Sequence, residues 1–380
     1  MKTTTQSLFS EACIIRDATL TIEDKISGKK VEYRKGELRE CEVSYNDFEI
    51  LSFFSLNDQG DTQNFLNISQ DVRVTLFLLD LKENYYRREF QIVSDTKNVD
   101  LTNKTYTLFC QDIISYTLSK LYIAKTYKNK KLSDIFQDIF NQYIKNKLSS
   151  SQKIELDIES NITIENFVLT PQKSVLNFIK EECDRQGLCF YQDKKKIVMK
   201  PYKKLKPDSL ELKKEKYNDY KTNPIDPLDI LSYRQNKTNS SFKIPKSQVL
   251  AYDKSNKTMK IMKQNLEDLG FDVAKEAQDN EGLEYISQEY LYDDNLFAET
   301  YKSFLNSSEI EIVVPGFVDV PEIFKKYNVL FKSQEASTSF EGDVKKSGEY
   351  ILKSYVDKIT STQYYISKLT LCRFKDTENK

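Results

Sequence analysis

The groups of this 380-residue chain that could do chemistry are carboxylates, thiols and lysines, because it contains no histidine. Without imidazole, Ser-His-Asp and Cys-His nucleophile sites and His-ligated zinc, iron or copper are excluded together. Catalysis would have to rest on paired carboxylates, around a divalent cation or flanking a glycosidic bond. Pro207-Asp208 precedes Glu211-Leu212-Lys213 in the order of a metal-dependent nuclease motif. Only two residues separate the carboxylates, too few to bring both to adjacent strands. Glu181 and Glu182 lie beside the apolar stripe of a predicted helix and read as its polar face. Asp293-Asp294-Asn295 begins like a calcium loop, but no Gly and closing Glu follow at the required spacing, and Asp294 reads as a helix cap. The six cysteines, Cys13, Cys41, Cys110, Cys183, Cys189 and Cys372, form no C-x-x-C pair. Most sit among apolar residues, where a thiol behaves as a small core side chain. With 9 Gly and neither G-x-G-x-x-G nor G-x-x-x-x-G-K-[ST], the chain has little material for a phosphate cradle. We therefore assign no catalytic, metal or cofactor-binding residue, and expect a protein that is not an enzyme and carries no cofactor.

One cationic cluster stands out: Lys194, Lys195, Lys196, Lys200, Lys203, Lys204 and Lys206, with Tyr202 among them. It reads either as a phosphate-contacting patch facing passing DNA or as a solvated hairpin tip and linker. With Lys+Arg 57 against Asp+Glu 58 there is no global basic field, which favours the solvated reading.

The elements that would carry these residues follow from periodicity. A hydrophobic fraction of 39% with 24 Tyr and 22 Phe supplies a packed interior despite a mean hydropathy of -0.59. The N-terminus lacks the apolar run of a signal peptide, no stretch approaches a membrane span, and no anchor is expected. Period-two segments at 13–22, 42–45, 72–79, 88–93 and 105–109 predict a small antiparallel barrel or sandwich with almost no helix. Ser133 is expected to cap a helix bearing Ile135, Phe136, Ile139, Phe140 and Tyr143. Ser174 should cap a second, which carries Val175, Leu176, Ile179 and Cys183 and stops at Gly187. A hairpin follows over 188–200. Strands return at 228–233, 248–252, 310–314, 329–331, 350–356 and 364–371, with a helix carrying Leu296 to Leu305 among them. The predicted fold class is α+β and β-rich, with two small antiparallel β-barrel domains. Its divisions are a first barrel over 1–112, a connecting α/β domain over 113–206, and a second barrel over 207–243 plus 308–375. A helix-bearing insertion spans 244–307 and a tail 376–380.

Three segments carry a resemblance. Thr170 to Ile179 through Phe190-Tyr191, Ile310 to Val314 with Pro315-Gly316-Phe317 and Val329-Leu330-Phe331, and the closing strands over 349–371 resemble the baseplate hub proteins of phage tails. The same fold forms the N-terminal part of type VI secretion spike proteins. Lys325-Lys326-Tyr327-Asn328 departs from that pattern where the family often places a second Gly. The resemblance implies two tail-tube-like barrels per chain and a homotrimer forming a pseudo-sixfold ring, located in the virion at the tail baseplate and made in the host cytoplasm. It further implies these partners: the tail tube or distal tail protein, the central spike protein, the tape-measure protein, baseplate wedge proteins, and DNA passing without sequence recognition. The rival readings are a histidine-free nuclease or glycosidase of the tail and a peripheral host-binding module.

Overall fold

A computed structural model describes residues 15–34, 36–57, 71–79, 83, 85–99, 104–149, 152–202, 224–225, 232–236, 246–253, 258–265, 281–286, 309–316, 322–324, 326–329, 348–360 and 364–376. Its strands begin with β1 (Asp17–Asp24), β2 (Lys30–Tyr33), β3 (Leu38–Asn46), β4 (Glu49–Asn57), β5 (Val72–Leu79), β6 (Tyr85–Val99) and β7 (Lys104–Asp112). The middle of the chain holds α1 (Ile113–Lys120), β8 (Lys125–Lys131), α2 (Leu132–Ile139), β9 (Glu155–Ile158), β10 (Thr163–Leu169), α3 (Val175–Gln186), β11 (Leu188–Gln192) and β12 (Lys196–Pro201). Then come β13 (Pro224–Ile225), β14 (Ser232–Asn236), β15 (Lys246–Asp253), β16 (Thr258–Asn265), β17 (Glu281–Ile286), β18 (Glu309–Pro315), β19 (Lys326–Val329), β20 (Gly348–Thr360) and β21 (Tyr365–Asp376).

The alternation read from the sequence is a burial pattern in three dimensions. Every second residue of β1 and β5 is buried, so Leu20, Ile22, Val74 and Leu76 face one core while Thr19, Thr21, Arg73 and Thr75 face outward. Eleven strands form one path, β14-β18-β21-β20-β3-β4-β7-β6-β5-β1-β2, with β19 beside β20 and β13 beside β19. All pairs on that path are antiparallel, and bulges in β6, β20 and the β3–β4 pair help curl it. The first β region and the last are joined where β20 pairs with β3, from Tyr355 opposite Tyr45 to Thr360 opposite Glu40. Their side chains share one core, with Phe54 and Phe90 in the same cluster as Ile312, Leu352 and Leu369. Gly316 is required at the end of β18: a Cβ there would sit 2.3 Å from the ring of buried Tyr365.

The middle segment builds a second core around α1, α2 and α3, into which the turn residue Phe48 inserts and stacks on Phe190 at 4.1 Å. α3 is as the sequence predicts, with Ser174 accepting from the Asn177 N–H at 3.4 Å and Gly187 left-handed at φ 66°. α2 departs from the prediction. It starts at Leu132, so Ser133 lies inside it, and the N–H of Ser133 is satisfied at 3.0 Å by Ser160, 27 residues away. α1 has no counterpart in the sequence reading; its cap is Asp112, whose carboxylate accepts from the Ile114 and Ser115 N–H groups. A separate three-stranded sheet, β16-β15-β17, occupies part of 246–286. The helix expected over Leu296 to Leu305 lies outside the described residues, as do the strand residues expected at 13–14, 228–231 and 330–331.

Candidate functional site

The hairpin β11–β12 and its turn bring together the largest set of charged side chains in the described interior. β11 is buried along its whole length, so its polar turn follows it inward. Asp193 N–H donates to the Lys196 carbonyl at 2.9 Å, which closes the turn and aims Gln192, Asp193 and Lys194 at the β3–β20 seam. Lys194 Nζ is 2.8 Å from Asp357 Oδ2, and the two side chains are 4% and 5% exposed. The ammonium lies 5.4 to 6.0 Å from the ring centroids of Tyr355, Tyr45 and Tyr86, of which Tyr45 and Tyr355 stack at 4.3 Å. Asp357 also accepts from Ser367 Oγ at 2.6 Å and from the Tyr365 hydroxyl at 3.2 Å.

Asp193 joins the same seam to the last β region. Its carboxylate accepts from the Tyr355 hydroxyl at 2.7 Å, the Lys194 N–H at 2.7 Å and the Ile323 N–H at 3.1 Å. Burial raises its pKa, and these donors with the Lys194 charge oppose the shift without cancelling it. On the other side Gln192 bridges the Phe48 carbonyl and Asp112, while Arg88, fully buried, donates to Gln192 at 2.6 Å and to the Asp193 carbonyl at 3.1 Å. Burial alone would lower the Arg88 pKa, but the Asp112 charge 3.4 Å away leaves it raised. Burial pushes the Tyr45, Tyr355 and Tyr365 hydroxyls well above their ordinary range, so they remain protonated donors.

The chemistry of this arrangement is adhesive. Five ionisable groups, Arg88, Lys194, Asp112, Asp193 and Asp357, are out of water and cross-bonded among three parts of the chain. Such a network specifies one docking geometry more than it adds stability, since each desolvated charge costs several kcal/mol. Beside it, a pocket of about 290 Å³ is walled by Leu188, Phe190, Tyr191, Tyr202 and Phe324. Phe324 is left-handed at φ 62°, a strained state for a bulky residue, held by its N–H to the Leu352 carbonyl at 2.8 Å.

The described members of the predicted lysine cluster are therefore dispersed. Lys194 is not at a solvated tip and is closed to phosphate by burial and its Asp357 pair. Lys196 and Lys200 are half-buried and paired to Glu322 at 2.8 Å and Asp157 at 2.5 Å, and Lys195 is exposed. Lys203, Lys204 and Lys206 lie outside the described residues, as do Asp208, Glu211 and Asp293 to Asn295. Glu181 pairs with Lys173 at 2.6 Å, and buried Glu182 with Gln186 and Arg185, so neither faces a common substrate space. Among the described residues no group of three or more Cys, Asp or Glu is placed to hold a metal ion, and no helix is long and apolar enough to cross a membrane. The five described cysteines are buried thiols. Arg88, Asp112 and Asp357 were not singled out from the sequence; for Arg88 the only signal was its place as the inward-facing member of the adjacent pair Arg87-Arg88 in an alternating strand.

No protein-family model and no curated protein sequence matches the chain. Solved structures do. A tail protein from Neisseria meningitidis MC58 superposes with a TM-score of 0.60 at 11% identity, over 94% of this chain and 96% of that one. The 43 kDa tail protein of prophage MuSo2 from Shewanella oneidensis gives 0.61 at 10% identity, over 94% and 98%. A chain of the Francisella PdpA–VgrG complex gives 0.52 at 12% identity, covering 97% of this chain and 55% of that longer one. A β-rich curled sheet with few helices, matched end to end by two tail proteins, establishes the fold of this chain as that of phage tail proteins.

Proposed function

We propose that this chain is the structural baseplate hub of a phage or phage-like tail: a non-enzymatic homotrimer that adapts a hexameric tail tube to a trimeric spike. The observation that carries the reading is the β20–β3 pairing, which splices two β regions of one chain into a continuous curved sheet. Three such chains would present six β regions around one axis, reconciling threefold with pseudo-sixfold symmetry. In this reading the two regions are the barrels, 1–112 and 207–243 plus 308–375. Residues 113–206 brace them through the Gln192-Asp193-Lys194 turn, and 244–307 is an insertion. The ring would contact the tube or distal tail protein on one face, spike and wedge proteins elsewhere, and tape-measure protein and DNA in its lumen.

Light scattering across a concentration series tests it. The expected mass is about 133 kDa, three chains of 44.5 kDa, with a central channel in negative-stain images. A monomer at every concentration that also fails to enter rings when mixed with tail tube and spike proteins would overturn the proposal.

A further inference from the structure

Among the described residues β8 and β10 form a sheet of two strands only, so each has one edge without a partner strand there. Natural proteins guard such edges with lysines and local distortions. β8 has both: four of its seven residues are lysine, and Asn129 in its middle is left-handed at φ 51°. β10, Thr163-Ile-Glu-Asn-Phe-Val-Leu169, has neither Lys nor Pro and holds one register with β8, interrupted only where Glu165 faces Asn129; Glu165, its one charge, is exposed on the same side of the strand as Phe167 and Leu169, away from Asn166. No other described element runs alongside it. Asn166 and Val168 are exposed, Val168 by 49%, while Phe167 and Leu169 anchor the strand in the core beneath.

We infer that the outer edge of β10 is a docking edge that takes an extended, acidic, amphipathic strand from a partner protein. Main-chain bonding to the free edge would supply affinity, as in strand addition generally. The occupant's chemistry follows from the neighbours. An added strand lies about 4.8 Å from β10 and about 10 Å from β8, within a Debye length of the β8 lysines. Lys125 and Lys130 bond Gln142 and Asp138, whereas exposed Lys128 and Lys131 have no ion pair among the described residues. Lys128 stands opposite Asn166, on the exposed face, so acidic side chains on that face of the incoming strand complement it. Apolar side chains on the alternate face would extend the core beside Phe167 and Leu169. A second copy of the chain is the competing occupant that the experiment separates.

The test uses the full-length chain and a fluorescein-labelled octapeptide alternating Glu and Ile, with a Lys/Ile octapeptide as control. Anisotropy should show the acidic peptide binding at least about tenfold more tightly than the basic one, weakening as salt rises. Hydrogen exchange should slow at 163–169 and not at 125–131. N166E/V168E, which puts like charge against the acidic strand at exposed positions only, should keep the native exchange pattern elsewhere and lose at least about tenfold in peptide affinity. Equal binding of the two peptides, no binding, or unchanged affinity in the variant would overturn the inference. Protection of 163–169 that grows with protein concentration alone would assign the edge to a second copy and also overturn it. The inference does not rest on the hub reading, which the solution mass judges separately.

Discussion

Replacing Lys194 with Met keeps the aliphatic stem and removes the ammonium, leaving Asp357 buried at 5% exposure without its cation. Removing one partner of a buried pair costs about 3–5 kcal/mol. Asp357 keeps the Ser367 and Tyr365 hydroxyls as donors, which sets the expectation for K194M at the low end, about 3 kcal/mol. In urea unfolding at fixed protein concentration this appears as a midpoint lowered by roughly 1 M with an unchanged slope. Removing the stranded charge as well, in K194M/D357L, should recover most of the loss, because an apolar pair of similar volume carries no desolvation penalty. K195M, at an exposed position one residue along, should stay within about 0.5 kcal/mol of the parent. A K194M protein as stable as K195M would refute the reasoning, as would a double variant no better than K194M.

Ser160→Ala removes the remote acceptor of the Ser133 N–H and should cost about 1 kcal/mol, read as a lower urea midpoint and faster amide exchange in the first turn of α2. Gly316→Ala drives a Cβ into the buried Tyr365 ring and should cost about 1–3 kcal/mol, whereas Gly36→Ala, with open space around it, should cost little. Asp193 has a raised folded-state pKa, so its contribution to stability is fully present below the unfolded value and is lost as pH rises through the folded one; D193N should flatten that part of the stability–pH curve. Burial holds the Cys41 and Cys183 thiols well above their ordinary pKa, so iodoacetamide labelling of the native chain should stay slow between pH 7 and 9. A free thiol would accelerate roughly twentyfold over that range, and the same sites should label readily in urea.

Local chemistry was legible because it depends on neighbours in the chain. The Ser174 cap and Gly187 stop of α3, the alternation of β1 and β5, and the burial of the thiols all follow from spacing and residue type. Contacts between distant segments were not. Gln192-Asp193-Lys194 has the composition of a solvated turn, and only the approach of β3 and β20 turns it into a buried joint. Ser133 has the type of a cap residue, yet it lies inside α2, whose N-cap is Lys131, and its own N–H is satisfied by Ser160. Asp112 ends one strand and starts a helix too short to announce itself by periodicity. Residue types and their spacing are enough to give a histidine-free, β-rich chain with a helix and hairpin at its centre. Tertiary structure alone decided that its two β regions share one sheet, and that a polar turn locks them to the central unit. A charge's burial is set by what packs over it, and at this joint those groups come from residues far apart in the chain.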